Sequence, residues 1–276
     1  MMEVVPGNAS HIGQRQQQQD AFAFSDFADA EFVAHGGYLA VVADGIGGLL
    51  NGAQAANIAV TEMVSRYLAK SADQVVDRAL DQALDMANQA VLDAGHWYNS
   101  FREMGTTLVA AVIHQGHLYW RAVGDSHLYL YRDGRLSQLN ADHNFARQLQ
   151  AQVNEGLISQ DQADNHPHRL ALEYYLGLPY LPEVERNSNP LPLQANDRIL
   201  LCSDGIDGVL SADEVIACLA EMPMQAAQCL VNAALEKQQA GQDNLTAVIL
   251  GYQVQDVAAS KKSKRKFKNP WLIFSA

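Results

Sequence analysis

The spacing of hydrophobic and polar positions changes several times along the chain, which predicts a mixture of strands and helices. Residues 38–43 form an apolar run that stops at Asp44-Gly45, as expected for a buried strand entering a tight turn. Residues 53–68 and 74–94 instead carry apolar side chains at helical spacing, and each favours a helix with one buried face. The pattern therefore predicts one buried strand followed by two helices.

A strand-dense block follows these helices. Gln115-Gly116 and Asp133-Gly134 separate pairs of apolar runs, and Asp-Gly suits the type I′ turn of a tight antiparallel hairpin. The strands that these turns would connect are residues 106–113, 117–123, 127–132 and 135–139. Consecutive hairpins indicate antiparallel pairing rather than a βαβ array.

Residues 198–252 again combine predicted strands and helices. Residues 198–203 predict a buried strand ending at Asp204-Gly205, and residues 245–252 predict a final strand. Between them, Ser211 and Glu214 have the spacing of a capping box that opens a helix, and a second helix follows Pro223. We therefore predict an α+β fold in which antiparallel sheets are covered by helices. Residues 141–190 are polar and contain four prolines, which indicates an excursion from this core.

Composition narrows the class of protein. The apolar fraction of 48% suits a globular chain of 276 residues, whereas a formal net charge of −12 argues against binding bulk nucleic acid. No apolar stretch approaches the ~20 residues that span a bilayer, and the N-terminal residues do not resemble a signal peptide. Three cysteines are too few for a disulfide framework. A cytoplasmic, reduced protein is the resulting expectation.

Charge is concentrated at the C-terminus. Residues 261–268 contain six basic and no acidic side chains, and the rest of the chain carries a formal net charge of −18. This shift predicts a catalytic domain over residues 1–258 and a separate basic and apolar tail over residues 259–276. The tail has the composition of a segment that contacts an anionic membrane or a partner protein.

Four aspartates lie where predicted strands begin or end: Asp44, Asp125, Asp204 and Asp243. Each alone is explained as a turn former beside a glycine or a strand end. In two packed sheets, however, adjacent strand ends lie ~5 Å apart, so that the four carboxylates can converge. Converging carboxylates repel one another unless they are protonated or bind cations, and oxygen ligands favour Mg²⁺ or Mn²⁺. Two such ions would polarise a phosphoryl oxygen and supply hydroxide near neutral pH.

Six ordered motifs across residues 8–252 resemble the bacterial members of the metal-dependent type 2C protein phosphatases, the PPM family. The motifs are Arg15-x-x-x-Gln19-Asp20, Val41-Val42-Ala43-Asp44-Gly45-Ile46-Gly47-Gly48, Gly105-Thr106-Thr107, Val123-Gly124-Asp125-Ser126, Ser203-Asp204-Gly205 and Gln242-Asp243-Asn244-Leu245-Thr246. The resemblance implies a pair of antiparallel sheets flanked by helices, and hydrolysis of phosphoserine and phosphothreonine in proteins, in opposition to a bacterial Ser/Thr kinase. Phosphorylated proteins, among them a kinase or its substrates, are the implied partners.

The resemblance also implies roles for individual residues. Asp44 would bridge two Mn²⁺ or Mg²⁺ ions, and the carbonyl of Gly45 would bind one of them. Asp204 and Asp243 would complete the ligands of the second ion, while Asp125 matches a position serving a third ion. Arg15 would grip the substrate phosphate, and Asp20 would act as a supporting carboxylate.

Several positions depart from the family pattern. Ile46 stands where eukaryotic members carry a histidine that is proposed to protonate the leaving group, which leaves a metal-bound water as the remaining donor. His127 replaces the common arginine after Gly-Asp-Ser, and Asp207 lies one position before the second aspartate of many relatives. His143, His166 and His168 lie in the excursion, which resembles the flap of bacterial members. These histidines are read either as solvated flap residues or as substrate contacts.

Three alternative functions fit the residues less well or differ only in substrate. A cysteine-nucleophile phosphatase needs an arginine six positions after its cysteine, and no cysteine of this chain has one. A phosphatase-like binding module without turnover is the main alternative, which the loss of a metal carboxylate would favour, but Asp44, Asp204 and Asp243 are all present. A partner-switching phosphatase acting on one dedicated antagonist protein would differ in substrate and not in chemistry.

Overall fold

The computed structural model describes residues 2–46, 51–97, 104–187 and 189–254, together with the backbone of residues 272–274. The strands are β1 (Met2–His11), β2 (Asp20–Phe24), β3 (Tyr38–Asp44), β4 (Leu108–His114), β5 (His117–Val123), β6 (His127–Arg132), β7 (Arg135–Gln138), β8 (Glu185–Arg186), β9 (Leu191–Pro192), β10 (Asp197–Cys202), β11 (Leu245–Val254) and β12 (Leu272–Phe274). The helices are α1 (Ala30–Gly36), α2 (Gly52–Leu68), α3 (Val76–Trp97), α4 (Ala146–Asn154), α5 (Gln160–Asp164), α6 (Asp204–Asp207), α7 (Ala212–Leu219) and α8 (Pro223–Glu236).

The described strands form two antiparallel sheets. The first has the order β1-β11-β10-β6-β7, and the second has the order β12-β2-β3-β4-β5-β8, with β9 also paired to β5. Helices α2 and α3 cover the outer face of the second sheet, and α7 and α8 cover that of the first. The α+β prediction of two packed sheets flanked by helices is confirmed.

Alternation along the central strands explains this layering, because successive side chains point to opposite faces of a sheet. Val42 faces the other sheet and packs in one cluster with Leu128 and Leu201, whereas its neighbour Val41 packs against α2 and α3. Leu200 likewise faces α7 and α8. These strands are buried on both faces, which is why they read in the sequence as continuous apolar runs rather than alternating ones.

The predicted local signals are confirmed where the sequence offered them. Asp133 and Gly134 both have positive φ (51° and 74°), as do Gln115 and Gly116 (50° and 75°), which is the requirement of a type I′ turn. Ser211 and Glu214 form a reciprocal capping box at the start of α7. Sequence patterns did not indicate β1, β2, α1 or the two short helices α4 and α5.

The predicted excursion, residues 141–190, is partly anchored in the core. Leu176 is fully buried, and the side chain of Asn88 on α3 accepts from Gly177 N–H (2.8 Å) and donates to Leu178 O (3.0 Å). His143 is 1% exposed, so the solvated-flap interpretation is wrong for this residue. His168 is exposed, which fits a solvated flap residue, whereas His166 is half-buried, which leaves both interpretations for that residue.

A buried cation that the sequence did not reveal joins α3 to β5. The Arg121 side chain is fully buried, and its guanidinium lies 2.7 Å from Asp77 Oδ1 and 2.6 Å from Asp81 Oδ1. It also donates to Trp120 O and Asp77 O. Two carboxylates at the surface thus neutralise a charge that would otherwise be very costly to bury.

Cys218 on α7 and Cys229 on α8 form a disulfide, and Cys202 is buried with a free thiol. The cysteine count predicts a fully reduced chain, and this prediction is wrong for Cys218 and Cys229. One crosslink between neighbouring helices is still not a disulfide framework. The cytoplasmic location stays a prediction.

The C-terminal tail contributes one described element. β12 pairs antiparallel with β2, which places Leu272 opposite Phe24 and Phe274 opposite Phe22. The basic run 261–268 and the proposed boundary at residue 258 lie outside the described residues, so the division into domain and tail stays a prediction. Over the described part of the chain, each helix is too short or too polar to cross a membrane.

Candidate active site

The two sheets bring the predicted acidic residues to one pocket. Asp20 and Asp44 are direct cross-strand partners on β2 and β3. Asp204 begins α6 immediately after β10 and Ser203, Asp243 lies just before β11, and Asp125 follows β5. A pocket of about 320 Å³ is lined by four of these aspartates together with Arg15, Ile46, Thr107, Leu170, Ala171 and Leu172. The structure therefore brings together the residues that the sequence singled out, with Asp20 buried behind them.

Threonine hydroxyls fix the backbone around Asp44. Asp44 N–H donates to Thr107 Oγ1 (2.9 Å), while Thr106 Oγ1 and Thr107 N–H both donate to Asp44 O (2.8 Å each). Thr107 Oγ1 also contacts Ser126 Oγ at 2.7 Å, which links β4 to the segment that carries Asp125. These contacts hold the carboxylates in place without neutralising them.

Hydroxyl and amide groups do the same on the other sheet. Ser203 Oγ donates to Asp20 Oδ2 (2.8 Å) and accepts from Thr246 N–H (3.1 Å). Asn244 N–H donates to Asp243 Oδ1 (2.8 Å), and the Asn244 side chain accepts from Gln19 N–H (2.7 Å). Gly205 makes this close approach feasible, because a Cβ there would lie 2.0 Å from Asn244 O.

Burial and mutual repulsion raise the pKa values of the clustered carboxyls. Burial, together with repulsion from Asp204 and Asp243, raises the pKa of Asp20 to about 7. Burial and repulsion from Asp204 raise the pKa of Asp125 to about 7. Burial, followed by repulsion from Asp20 and then from Asp204, holds the pKa of Asp44 well above its usual range. The pKa of Asp204 is also raised. Its side chain is exposed at the pocket, but the surrounding pocket walls remove part of its hydration. Ionisation of the cluster therefore requires a compensating cation.

The donor set fits a hard divalent cation. Asp20 Oδ1 is buried without a hydrogen-bond partner, and a buried carboxylate oxygen without a partner is costly unless something positive approaches it. Among the described residues, the pocket lining offers carboxylate oxygens and neither cysteine nor histidine, which suits Mg²⁺ or Mn²⁺ better than Zn²⁺. Residues Asp44, Asp125, Asp204 and Asp243 are the ones placed to hold such ions.

Arg15 lies at the rim of this pocket. Its Nη2 atom is 2.6 Å from Asp243 Oδ2, and both side chains are close to half exposed. An exposed pair of this kind contributes little to stability. The guanidinium is thus held beside the carboxylates while it remains accessible from solvent.

His127, which replaces the common arginine, contacts two carboxylates. Its Nε2 atom donates to Asp142 Oδ1 (2.8 Å), and its Nδ1 atom lies 2.5 Å from Asp207 Oδ2 as a close ion pair rather than an aligned hydrogen bond. These contacts outweigh its burial and raise the pKa of His127 to about 10. Sequence reasoning assigned no role to Asp207, and the displaced motif spacing was the available signal.

A second acidic group lies within the flap, the name used here for residues 141–190. Ligand atoms of His143, Glu183 and Glu185 all lie within 4.8 Å of one another. Gly124 N–H donates to His143 Nδ1 (3.2 Å), so the neutral ring carries its hydrogen on Nε2, the nitrogen that faces Glu185 at 3.8 Å. Arg147 already pairs with both oxygens of Glu183. We therefore interpret this group as a hydrogen-bonded support of the flap rather than a metal site.

The chain is similar in sequence to known protein phosphatases. The family profile described as Protein phosphatase 2C matches residues 8–240. The serine/threonine phosphatase stp of Listeria monocytogenes serotype 4b is 29% identical over 215 residues, which cover 77% of this chain and 83% of that protein. The serine/threonine protein phosphatase PstP of Mycobacterium tuberculosis is 32% identical over 221 residues, which cover 78% of this chain and 40% of PstP.

Solved structures give the same result. The crystal structure of the Mycobacterium tuberculosis serine/threonine phosphatase PstP/Ppp superposes with a TM-score of 0.72 at 27% identity, covering 91% of this chain and 99% of that one. The PstP catalytic domain in complex with two manganese ions gives a TM-score of 0.72 at 26% identity, covering 92% of this chain and 100% of that one.

The raised pKa values predict how the stability of the metal-free protein depends on pH. Asp20 and Asp125 keep their protons up to about pH 7 when folded, but only up to about pH 4 when unfolded. Between these values the folded state binds more protons, so the free energy of unfolding falls as pH rises, by at most about 1.4 kcal/mol per pH unit for each group. In EDTA, the contribution of these groups should lower Tm between pH 5 and pH 7.5.

Asp20→Asn provides the test of this assignment. The variant lacks one of the two titrations, so its Tm should decline less steeply over the same pH range than that of the natural protein. Added Mn²⁺ should reverse the decline in the natural protein, because the cation binds the ionised carboxylates. Identical pH slopes for the variant and the natural protein in EDTA would contradict the assignment.

Proposed function

Because this chain belongs to the protein phosphatase 2C family, we propose that it hydrolyses phosphoserine and phosphothreonine in proteins at a site holding two Mn²⁺ or Mg²⁺ ions. The chain is a metal-dependent serine/threonine phosphatase. The relatives named above are serine/threonine phosphatases, and the PstP catalytic domain is solved in complex with two manganese ions. The observation that carries the binuclear proposal is the convergence of Asp44, Asp125, Asp204 and Asp243 on one pocket that Arg15 borders.

The acidic residues and Gly45 receive specific roles in this proposal. Asp44 would hold both ions, the carbonyl of Gly45 would bind one of them, and Asp204 and Asp243 would bind the other. Asp125 would serve a third ion, and Asp20 would support the cluster from the buried side. Bound ions of this kind neutralise the phosphoryl oxygens and lower the pKa of a water nucleophile.

Arg15 is the proposed phosphate-binding residue. Its guanidinium presents a planar fork of donors that matches two phosphate oxygens. In the structure that fork contacts Asp243, which is itself a proposed metal ligand. A cation held by Asp243 would compete with the guanidinium for this carboxylate, which would leave the guanidinium available to an incoming phosphate at the same rim.

The peptide on either side of the phosphorylated residue has a place to lie. A second pocket of about 610 Å³ on the flap is lined by Phe145, Gln148, His166, His168, Glu173 and Tyr174, and it meets the acidic pocket at Ala171 and Leu172. Leu170 is 68% exposed at this junction. We propose that the flap selects among phosphorylated proteins, including a Ser/Thr kinase or its substrates.

The tail is proposed to be a docking element that takes no part in catalysis, although its strand β12 extends the second sheet by pairing with β2. Basic side chains near an anionic surface contribute about 1 kcal/mol each, and six of them precede the strand that pairs with β2. Deleting residues 259–276 should leave turnover of p-nitrophenyl phosphate nearly unchanged while weakening binding to anionic vesicles or to a partner protein. Loss of small-substrate turnover, or unfolding on deletion, would show that the tail belongs to the catalytic fold.

Metal dependence is the primary test of the function. The purified protein should hydrolyse a phosphothreonine peptide with Mn²⁺ or Mg²⁺ and lose activity in EDTA. Asp44→Asn and Asp204→Asn should each remove most of the turnover without lowering Tm, because the lost charge serves the ions and not the core. Asp213→Asn, on the exposed surface of α7, is the matched control and should be fully active. Equal activity after exhaustive chelation would exclude the binuclear mechanism.

Arg15→Ala separates substrate binding from chemistry. Charge-assisted hydrogen bonds are worth roughly 1.5–3 kcal/mol, so KM for the phosphopeptide should rise about ten- to a hundredfold and inhibition by inorganic phosphate should weaken. Arg66→Ala removes an arginine of similar exposure that pairs with Glu62 on α2, and it should leave KM unchanged. An unchanged KM in Arg15→Ala would return Arg15 to the role of a surface charge.

A further inference from the structure

The contacts of His127 tie together three segments that are far apart in the sequence. His127 begins β6, two residues after Asp125, and its side chain is 12% exposed. Asp207 ends the short helix α6 that Asp204 begins, and Asp142 lies at the start of the flap. One imidazole thus contacts both the helix that carries a proposed metal ligand and the root of the proposed substrate-binding segment.

The chemistry of the contacts fixes the state of the ring. A carboxylate oxygen accepts hydrogen bonds and does not donate them, and each ring nitrogen of His127 faces one, at 2.8 and 2.5 Å. Both nitrogens therefore carry hydrogen, and the ring is a cation held between two anions.

Neighbouring groups hold both anions in place. Tyr129 O–H donates to Asp207 Oδ2 (2.6 Å), and Gln138 Nε2 donates to Asp142 Oδ1 (3.2 Å). The Asp207 side chain is 9% exposed and the Asp142 side chain is 38% exposed, and the hydrogen bonds to each carboxylate limit its alternative positions, so the ring is held at both ends. A clamped ring transmits position between the segments that it joins, which a freely solvated side chain does not.

We propose that His127 is a positioning residue, which fixes the Asp125 segment relative to the Asp204 helix and the flap root through Asp207 and Asp142. The separation of Asp125 from Asp204 determines how well a cation fits between them, so His127 acts on metal affinity through its two partners and touches neither metal nor substrate. This inference rests on the proposed function for its kinetic readout but not for its binding readout.

The test compares three replacements of His127 in the full chain. His127→Gln keeps a single donor and loses the charge, so Mn²⁺ affinity measured by calorimetry should fall about tenfold, the lower end expected for one charge-assisted contact. The Mn²⁺ concentration for half-maximal hydrolysis of p-nitrophenyl phosphate should rise by the same factor, with kcat at saturating Mn²⁺ changed less than threefold. His127→Arg provides a forked cation and should restore affinity to within about threefold.

His127→Lys distinguishes position from charge. A lysine supplies a point charge on a flexible stem and cannot contact two carboxylates in a fixed geometry, so it should restore affinity less than arginine does. Equal rescue by lysine and arginine would overturn the positioning role. So would Mn²⁺ affinity in His127→Gln within twofold of the natural protein. His117→Gln, at the exposed start of β5, is the control and should match the natural protein.

Two further variants keep the inference testable if His127→Gln does not fold. Asp207→Asn and Asp142→Asn each remove one anion of the clamp, and each should weaken Mn²⁺ binding severalfold. Affinity unchanged in both would overturn the proposal. If the natural protein binds Mn²⁺ but hydrolyses no phosphate ester, the proposed function fails, and the calorimetric comparison alone then decides the role of His127.

Discussion

Repulsion among five carboxylates at the meeting point of two sheets is the constraint on which the site depends. Burial raises the pKa values of Asp20, Asp44 and Asp125, and repulsion among the clustered carboxyls raises them further. The fold tolerates this repulsion because uncharged donors, such as Thr107 and Ser203, hold the chain around the carboxylates. Hydroxyl groups satisfy backbone atoms and single carboxylate oxygens without adding positive charge. The cluster therefore retains its demand for cations.

Packing between the two sheets stabilises the fold enough to offset the unfavourable carboxylate cluster. Val42, Leu128 and Leu201 belong to one buried cluster between the sheets, and their strands end close to Asp44, Asp125 and Asp204. Burial of side chains of this size stabilises a fold by roughly 1.5–3 kcal/mol each, which offsets the repulsion concentrated at the strand ends. The strand ends are positioned by the apolar core, and the carboxylates take their positions from the strand ends.

Many elements of the fold were predictable because their sequence signals are local. Apolar runs ending at Asp-Gly, hairpin turns at Asp133-Gly134 and the capping box at Ser211 all depend on residues within a few positions of one another. Features that depend on distant partners were not predictable. The burial of Arg121 requires Asp77 and Asp81, forty or more positions earlier, and the burial of His143 requires Gly124. The strand β1 escaped notice because Pro6, Gly7 and Asn8 interrupt its pattern, and pairing with β11 overrides those weak propensities.

The flap and the carboxylate cluster meet through backbone contacts. Sequence change is tolerated in the flap but not at the carboxylates. His143 N–H donates to Gly124 O, and Gly124 N–H donates back to the imidazole of His143, so a single residue clamps the peptide unit next to Asp125. Gly124 has a φ of 105°, and a Cβ there would lie 2.6 Å from the Thr107 side chain, so this junction accepts glycine alone without strain. Beyond residue 145, Leu176 pairs through its backbone with Thr106, whereas the described hydrogen bonds of Phe145, His166 and His168 do not join these pocket residues directly to the carboxylates. If the flap binds substrate as proposed, its outer residues can change while the geometry of the carboxylates is preserved.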